Sequence, residues 1–297
     1  MVFSRRNGHS CLRWQMGWGV ADTDFTVRFW GVRGSIACPG EATARYGGNT
    51  SCIEVRCGRR LLVLDGGTGL RELGNNLVKH HKGALDLDLL FTHTHLDHIG
   101  GLPFFAPAYN PKNHVRIWAG HLAHPSGIRD VLEQMMTPPL FPVPIDILAA
   151  QVTFTDFIAG QTLDFHSHIN LVTAPLNHPN NATGYRIEFD GKSVAYITDT
   201  EHLAEGMDPN VLRLMDNADV VIYDSTYTDE EYANRRGWGH STWQAGVQLA
   251  TKANARQLVI FHHDPEHDDN FMDHVAAAAA KERPGTIVAY EGLVLKL

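Results

Sequence analysis

The chain has 297 residues, 43% of them hydrophobic and 20% charged, the composition of a soluble globular protein with core enough for one large α/β domain or two small ones. Its 25 Lys and Arg stand against 33 Asp and Glu, a formal charge of −8, so it lacks the basic bias of proteins that grip long nucleic acids; a small anionic substrate would have to be attracted locally, as a metal can do. The four cysteines, Cys11, Cys38, Cys52 and Cys57, form no CxxC pair, which argues against a disulfide scaffold and a thiolate zinc site and reads as reduced thiols in a cytoplasmic protein.

Residues 1–24 open with the pair Arg5-Arg6, but Arg13, Gln15 and several glycines interrupt any apolar run that would make an export signal. The segment reads as a loose extension around Trp14 and Trp18, and no stretch of the chain is long enough to span a membrane. From Phe25 come three strand-like runs, FTVRFWGVRG, SCIEVRCG and RRLLVLDGG, the last two joined at Gly58-Arg59-Arg60 as a hairpin. GTGLRELGNNLVKHH spaces Leu70, Leu73, Leu77 and Val78 as an amphipathic helix, and ALDLDLLFTHTH returns to strand alternation.

Pro103, Pro107, Pro111, Pro125, Pro138, Pro139, Pro142 and Pro144 punctuate the next stretch, where only HVRIWAG reads as a strand and GIRDVLEQMM as a helix. Residues 103–150 are therefore expected to be a loop-rich cover with Met135 and Met136 packed beneath it. Two readings of that cover stand side by side, a lid or dimer surface narrowing a pocket and a passive loop. Tyr109, Trp118 and Phe141 suit stacking on a nucleobase or simple burial. Strands follow at QVTFTDF, INLVTAPL, GYRIEFDGKSVAYITD (a hairpin turning at Asp190-Gly191), ADVVIYDST, RQLVIFHH and TIVAYEGLVLKL, with helices at STWQAGVQLATKA and DNFMDHVAAAAAKE. Two β-rich halves with helices between them predict one α/β domain over 25–297, a sandwich of two sheets covered by helices.

Of the 18 histidines, three sit in THTHLDHIGG, directly behind an apolar run. In an extended segment His93 and His95 point to the same side, while Asp97 and His98 follow past the strand end, where the chain must turn. All four converge on one small volume. Imidazole and carboxylate are the ligands of catalytic zinc, and four of them can begin two sites as well as one.

This segment resembles the signature loop of the metallo-β-lactamase superfamily, whose members use a four-layer αββα sandwich and a one- or two-metal centre at its sheet edge. The resemblance implies that His93, His95 and His178 (in PLNHP) bind one metal, that Asp97, His98 and His262 (in VIFHHD) bind the other, and that Asp199 (in YITDT) bridges both. His263 is the alternative to its neighbour His262, which is favoured because it follows the strand immediately. Asp65, in LVLDGG, matches the acidic residue that supports the ligand loop by hydrogen bonds. Two further stretches, GVRGSIACPGEATARYGGNTSCIEV and GHSTWQAGVQLATKANARQLVIFHH, are similar to the ribonuclease Z and cyclic-nucleotide phosphodiesterase branch, so that the resemblance covers about residues 25 to 270. The second makes His240 a candidate catalytic residue, alongside the compatible reading that Ser241 or Thr242 simply caps the following helix. In the tRNA-processing members a long arm is inserted between the positions of His178 and Asp199; here that interval is 21 residues, a hairpin's length.

The resemblance implies an enzyme of the phosphodiesterase kind and, as in the family, a homodimer; the short interval and the −8 charge point to small phosphodiesters such as cyclic nucleotides or cyclic phosphates, with no long nucleic acid expected, and with no spanning stretch no membrane is expected either. Two divalent ions, Zn2+ with Mn2+ or Fe2+ as alternatives, would activate a water near neutral pH and hold the phosphate. Asp97 would orient that nucleophile and His240 would bind the phosphate or protonate the departing alkoxide. His263, Asp264, His267 and Asp268 suit either the rim of the site or a solvated loop. A carbonyl hydrolase of thioesters, lactones or amides is the alternative on the same ligands; GHST weighs against it. An RNA-processing nuclease and a non-enzymatic metal-binding protein stand further back, the second because a degenerate member should have lost ligands.

Overall fold

In the computed structural model, which describes residues 23–122 and 127–297, β1 (Phe25–Gly31) buries Phe25, Val27 and Phe29 at alternate positions, as a strand with one face on a core must. Arg5, Arg6, Cys11, Trp14, Trp18 and Pro125 lie outside the described residues. β2 (Cys52–Cys57) and β3 (Arg60–Leu64) form the expected antiparallel hairpin. α1 (Gly69–His80), β4 (Asp86–Phe91), the single turn α2 (Leu96–Ile99), β5 (His114–Ala119), α3 (Ile128–Met135) and β6 (Gln151–Asp156) complete the first half. The second half runs β7 (Thr162–His166), β8 (Ile169–Leu176), β9 (Ala182–Phe189), β10 (Lys192–Ile197), α4 (Pro209–Met215), β11 (Val220–Asp224), α5 (Asp229–Tyr232), α6 (Trp243–Lys252), β12 (Gln257–Phe261), α7 (Asp269–Glu282), β13 (Ile287–Val288) and β14 (Val294–Lys296).

Among the described residues these strands make two seven-stranded sheets, β14-β1-β2-β3-β4-β5-β6 and β13-β12-β11-β10-β9-β8-β7. Between the sheets lie Val27, Phe29, Ile53, Val55 and Leu64 from one side and Tyr185, Ile187, Tyr196, Ile222 and Phe261 from the other, all buried. Leu70, Leu73 and Leu77 of α1 and Leu132 of α3 pack on the outer face of the first sheet; Leu214 of α4, Val247 of α6 and Met272 of α7 pack on the outer face of the second. The result is the expected layering of helices, sheet, sheet, helices, because each sheet is apolar on both faces and each helix on one.

Three details differ from the sequence reading, and a fourth decides between alternatives it left open. The run TIVAYEGLVLKL is two strands in different sheets, broken at Gly292 (φ 90°), where the chain crosses from β13 to β14. β7 and α4 are not anticipated: β7 is a five-residue edge strand whose alternation, Leu163 and Phe165, is too short to stand out, and α4 is seven residues long, although Asp208 caps it through Asn210 N and Pro209 opens it. Within residues 103–150 β5 and α3 form as expected, but Phe105, Ala108, Met136 and Ile145 join the outer core of the first sheet, so the described part of the stretch is largely a structural layer. Trp118 is packed edge-on against Phe165 and donates to Asp88, while Phe141 packs against Phe104 and the outer core, which accounts for both without a ligand.

No helix among the described residues is long and apolar enough to cross a membrane. Cys38, Cys52 and Cys57 are free thiols.

Candidate metal centre

β3 and β4 run parallel, as do β10, β11 and β12, so both sheets present carboxyl-terminal strand ends, the place where open sheets collect functional groups. Asp65 follows β3, the 93–98 loop follows β4, His178 follows β8, Asp199 follows β10, Asp224 ends β11 and His262 follows β12. Three of these residues, Asp65 (φ 60°), Asp199 (φ 55°) and His262 (φ 65°), occupy the left-handed region, which is uncommon for residues other than glycine and concentrates at functional sites. At Gly34 a Cβ would come within 2.3 Å of the His262 ring, so the turn after Arg33 must be glycine for that ring to lie where it does.

The structure brings together every residue named as a metal ligand. His93, His95 and His178 offer nitrogens that all lie within 4.8 Å of one another, and so do the ligand atoms of Asp97, His98, Asp199 and His262. Asp199 stands between the two groups: its Oδ1 is 3.6 Å from His93 Nε2 and 3.8 Å from His178 Nε2, its Oδ2 3.2 Å from His98 Nε2 and 3.3 Å from His262 Nε2. Asp97 Oδ2 lies 3.2 Å from His98 Nε2 and 3.4 Å from His262 Nε2 and accepts a hydrogen bond from Ser35 N at 2.7 Å. His263 turns the other way and reaches the Ala289 carbonyl at 2.8 Å.

The outer ring nitrogens are held as metal-binding imidazoles require. His98 Nδ1 donates to Asp65 (2.9 Å) and His178 Nδ1 to the Gly239 carbonyl (2.8 Å), while His262 Nδ1 meets Thr226 Oγ1 at 3.0 Å. For His178 this leaves the Nε2 lone pair facing the cluster; on His98 burial lowers the pKa, but Asp199, Asp97 and Asp65 outweigh it and raise it well above the ordinary range, so a cation there would have to displace the Nε2 proton. Asp65, fully buried, also accepts from Thr92 N and Oγ1 and from Tyr196 O–H, tying the 93–98 loop to both sheets.

Burial, then His98, holds His93 well below the ordinary imidazole range, and burial lowers His178 as well, which favours the neutral form that can donate a lone pair. Burial raises Asp199, but the imidazoles of His262, His98 and His93 outweigh it and keep the carboxyl ionised. His93 Nε2 is buried and has no hydrogen-bond partner, a costly arrangement that a cation between it and Asp199 would satisfy. The donor set is nitrogen and oxygen only, so the residues present fit one or two divalent ions of the zinc type.

His240 lies beside the cluster, its ring stacked 4.9 Å from that of His262 and its Nδ1 2.9 Å from Asp224 Oδ2. Thr242 caps α6 by accepting from Ala245 N, so the capping role falls to Thr242 and leaves His240 outside the helix. Burial pulls His240 down, but Asp224, then Asp199 and Asp97, push it up to about 9. Asp224 was missed in the sequence, yet VIYD repeats the pattern of LVLD and YITD, an apolar run closed by aspartate. His121 was missed too: it is buried, meets Thr94 Oγ1 at 3.1 Å and lies 6.4 Å from the His93 ring. Asp264, His267 and Asp268 fasten the loop after β12: Arg33, itself buried, binds the carbonyls of Asp264 and His267, His267 pairs with Glu231, and Asp268 caps α7.

The sequence profile of the beta-lactamase superfamily domain matches residues 59–263. Ribonuclease BN of Proteus mirabilis (strain HI4320) is 25% identical over 236 residues, 63% of this chain and 73% of that protein. Ribonuclease Z of Acaryochloris marina (strain MBIC 11017) is 25% identical over 304 residues, 82% of this chain and 91% of its own. Among solved structures, the metallo-beta-lactamase fold protein YhfI from Bacillus subtilis aligns with a TM-score of 0.68 at 18% identity, covering 92% of this chain and 100% of that one. With a profile match over more than half its length, the same fold and this cluster at the strand ends, the chain belongs to the beta-lactamase superfamily, as a hydrolase of the metallo-β-lactamase fold.

Proposed function

We propose that the protein is a dinuclear metal-dependent phosphodiesterase acting on small phosphodiesters. One observation carries the reading: Asp199 directs one carboxylate oxygen to each of two ligand groups, with the His240–Asp224 pair at their edge. Divalent cations bound there supply Lewis acidity and activate water near neutral pH. The remaining roles belong to the chain. His93, His95 and His178 would hold one ion, Asp97, His98 and His262 the other. Asp97, fixed by Ser35 N, is placed to orient the attacking water, and Asp65 keeps the loop that carries these residues rigid. Asp224 holds the Nδ1–H of His240, so that its imidazolium can protonate a departing alkoxide or bind a phosphate oxygen.

An RNA-processing reading is favoured by one finding, the 25% identity to ribonuclease Z over 82% of this chain. Against it, β9 and β10 with the tight Asp190-Gly191 turn fill the interval between His178 and Asp199, leaving no arm there to grip RNA, and the net charge is −8. The test is hydrolysis by the zinc- or manganese-loaded protein of bis(p-nitrophenyl) phosphate, 3′,5′-cyclic nucleotides, a precursor tRNA and a p-nitrophenyl thioester, with Asp199→Ala alongside. Turnover of the small diesters that is lost in the variant is the expected result. Preferential cleavage of the tRNA moves the RNA reading to first place. Turnover of the thioester alone, by protein holding two metals, overturns the phosphodiester assignment.

A further inference from the structure

We infer that Glu201 is a positioning residue: its carboxylate fixes the loop that carries His240 and, through Gly239, sets the orientation of His178. Glu201 lies two residues after Asp199. Its Oε1 accepts from Tyr232 O–H at 2.7 Å and Gly237 N at 2.9 Å, and its Oε2 from Gly237 N at 2.9 Å and Gly239 N at 3.0 Å. Gly237 (φ 83°) and Gly239 (φ 86°) both have left-handed backbone, and amide groups turned inward this way form a concave cradle for an anion. Here the anion is the protein's own.

What the cradle holds in place is the neighbouring site. The Gly239 carbonyl accepts from His178 Nδ1 at 2.8 Å, and a Cβ on Gly239 would come within 2.3 Å of Pro179 and 2.4 Å of the His178 ring, so loop and ligand are in tight contact. On its other side Glu201 is tied to the residue before His178: Glu201 N donates to Asn177 O at 2.8 Å, and Asn177 Nδ2 donates to Glu201 O at 3.0 Å. Glu201 thus joins three segments, those carrying His178, Asp199 and His240. Its side chain bonds to none of the seven candidate ligands. Without the carboxylate the Gly237 and Gly239 amides have no protein acceptor, the loop is free to move outward, and the acceptor that fixes the His178 ring moves with it.

The inference rests on the reading that His178 helps to hold a cation, and the experiment separates the two. The full-length apo protein is titrated with Co2+, followed by absorbance and calorimetry, for wild type, Glu201→Ala, Glu201→Gln, Tyr232→Phe and His178→Ala. The step lost in His178→Ala identifies that site. Glu201→Ala should weaken the same step about 10- to 100-fold, the usual effect of removing a residue that orients a ligand, and leave the other step unchanged. Tyr232→Phe, which leaves both amides bonded to Glu201, should leave both steps as in wild type. Equal weakening of both steps, or of neither, overturns the role. If Glu201→Ala melts below the assay temperature, Glu201→Gln, which retains one acceptor oxygen, should show a smaller shift in the same step. If wild type takes up no Co2+, the dimetal reading fails. The positioning role is then decided by 1H–15N NMR of the apo protein: the His178 Nδ1–H signal is expected in wild type and lost to exchange in Glu201→Ala, and its survival in the variant overturns the inference.

Discussion

Replacing Asp224 by asparagine separates the acid role of His240 from everything else in the site. Asp224 is fully buried and accepts five hydrogen bonds: Oδ2 from His240 Nδ1 (2.9 Å) and Thr200 N (3.2 Å), Oδ1 from Thr226 N (3.1 Å), Thr226 Oγ1 (2.9 Å) and Ser241 N (3.3 Å). Asparagine keeps the shape and the Oδ1 acceptor but places an amide N–H2 against two donors. The charge-assisted bond to His240, worth about 1.5–3 kcal/mol, is lost, and a buried imidazolium without its carboxylate gives up its proton. General acid catalysis contributes about 10²–10⁴-fold, and only where the leaving group needs a proton. The kcat for 3′,5′-cyclic nucleotides, which release an alkoxide, should therefore fall about 10²–10⁴-fold, whereas bis(p-nitrophenyl) phosphate, which releases a stable phenolate, should lose much less than the alkoxide substrates do. Both rates are measured at saturating metal, with bound metal quantified in each preparation. An equal fall for the two leaving groups, or an undiminished rate on the cyclic nucleotides, refutes the assignment of His240 as the acid.

Gly34→Ala places a methyl group within 2.3 Å of the His262 ring and, on the proposed dinuclear reading, should lower the bound metal by one ion per chain, read by elemental analysis, while its melting curve remains cooperative. Asp65→Ala leaves Thr92, His98 Nδ1 and Tyr196 O–H without their acceptor in a buried site; about 3 kcal/mol or more of stability should go, measured by urea unfolding, together with about 10- to 100-fold in metal affinity. Burial, then the nearby His95, holds His121 down to about 4, below the ordinary 6.5, so between these values the unfolded chain binds a proton that the folded one refuses. Its contribution is complete above pH 6.5 and falls as the pH drops toward 4, by about 2 kcal/mol at pH 5; the metal-free wild type should lose that much more stability than His121→Asn between pH 7.5 and 5, and equal losses would rule the histidine out as the cause.

The ligand loop was readable because strand periodicity is strict: His93 and His95 share a side by alternation, and a buried apolar run before them marks where the strand stops. The two sheets were readable for the same reason. What escaped depended on contacts between distant segments. β7 pairs at a sheet edge and is only five residues long, too short for its alternation to stand out, and the crossing of TIVAYEGLVLKL between sheets turns on Gly292 and on Glu291, whose carboxylate binds Asn49 N, 242 residues away in sequence, at 2.6 Å.

Most telling is the backbone of Asp65, Asp199 and His262. Nothing in LVLDGG, YITDT or VIFHHD singles out a left-handed residue, since aspartate and histidine, though enriched in that region over other side chains, adopt it at only a small fraction of their positions. Each such residue costs about 1–3 kcal/mol and persists only where its surroundings over-determine it. Here they do, through the four donors on Asp65, the imidazoles around Asp199 and the Thr226 and Gly34 contacts of His262. In the structure Asp199 and His262 are left-handed at their strand ends with their side chains in one cluster, and Asp65, left-handed after β3, holds His98 beside them. The convergence that makes a metal centre is thus set by tertiary contacts acting on local strain. For that reason the ligand types were visible in the sequence, and Asp224 carried a signal in the VIYD run, while Glu201, whose role rests on the amides of a distant loop, became visible only in the fold.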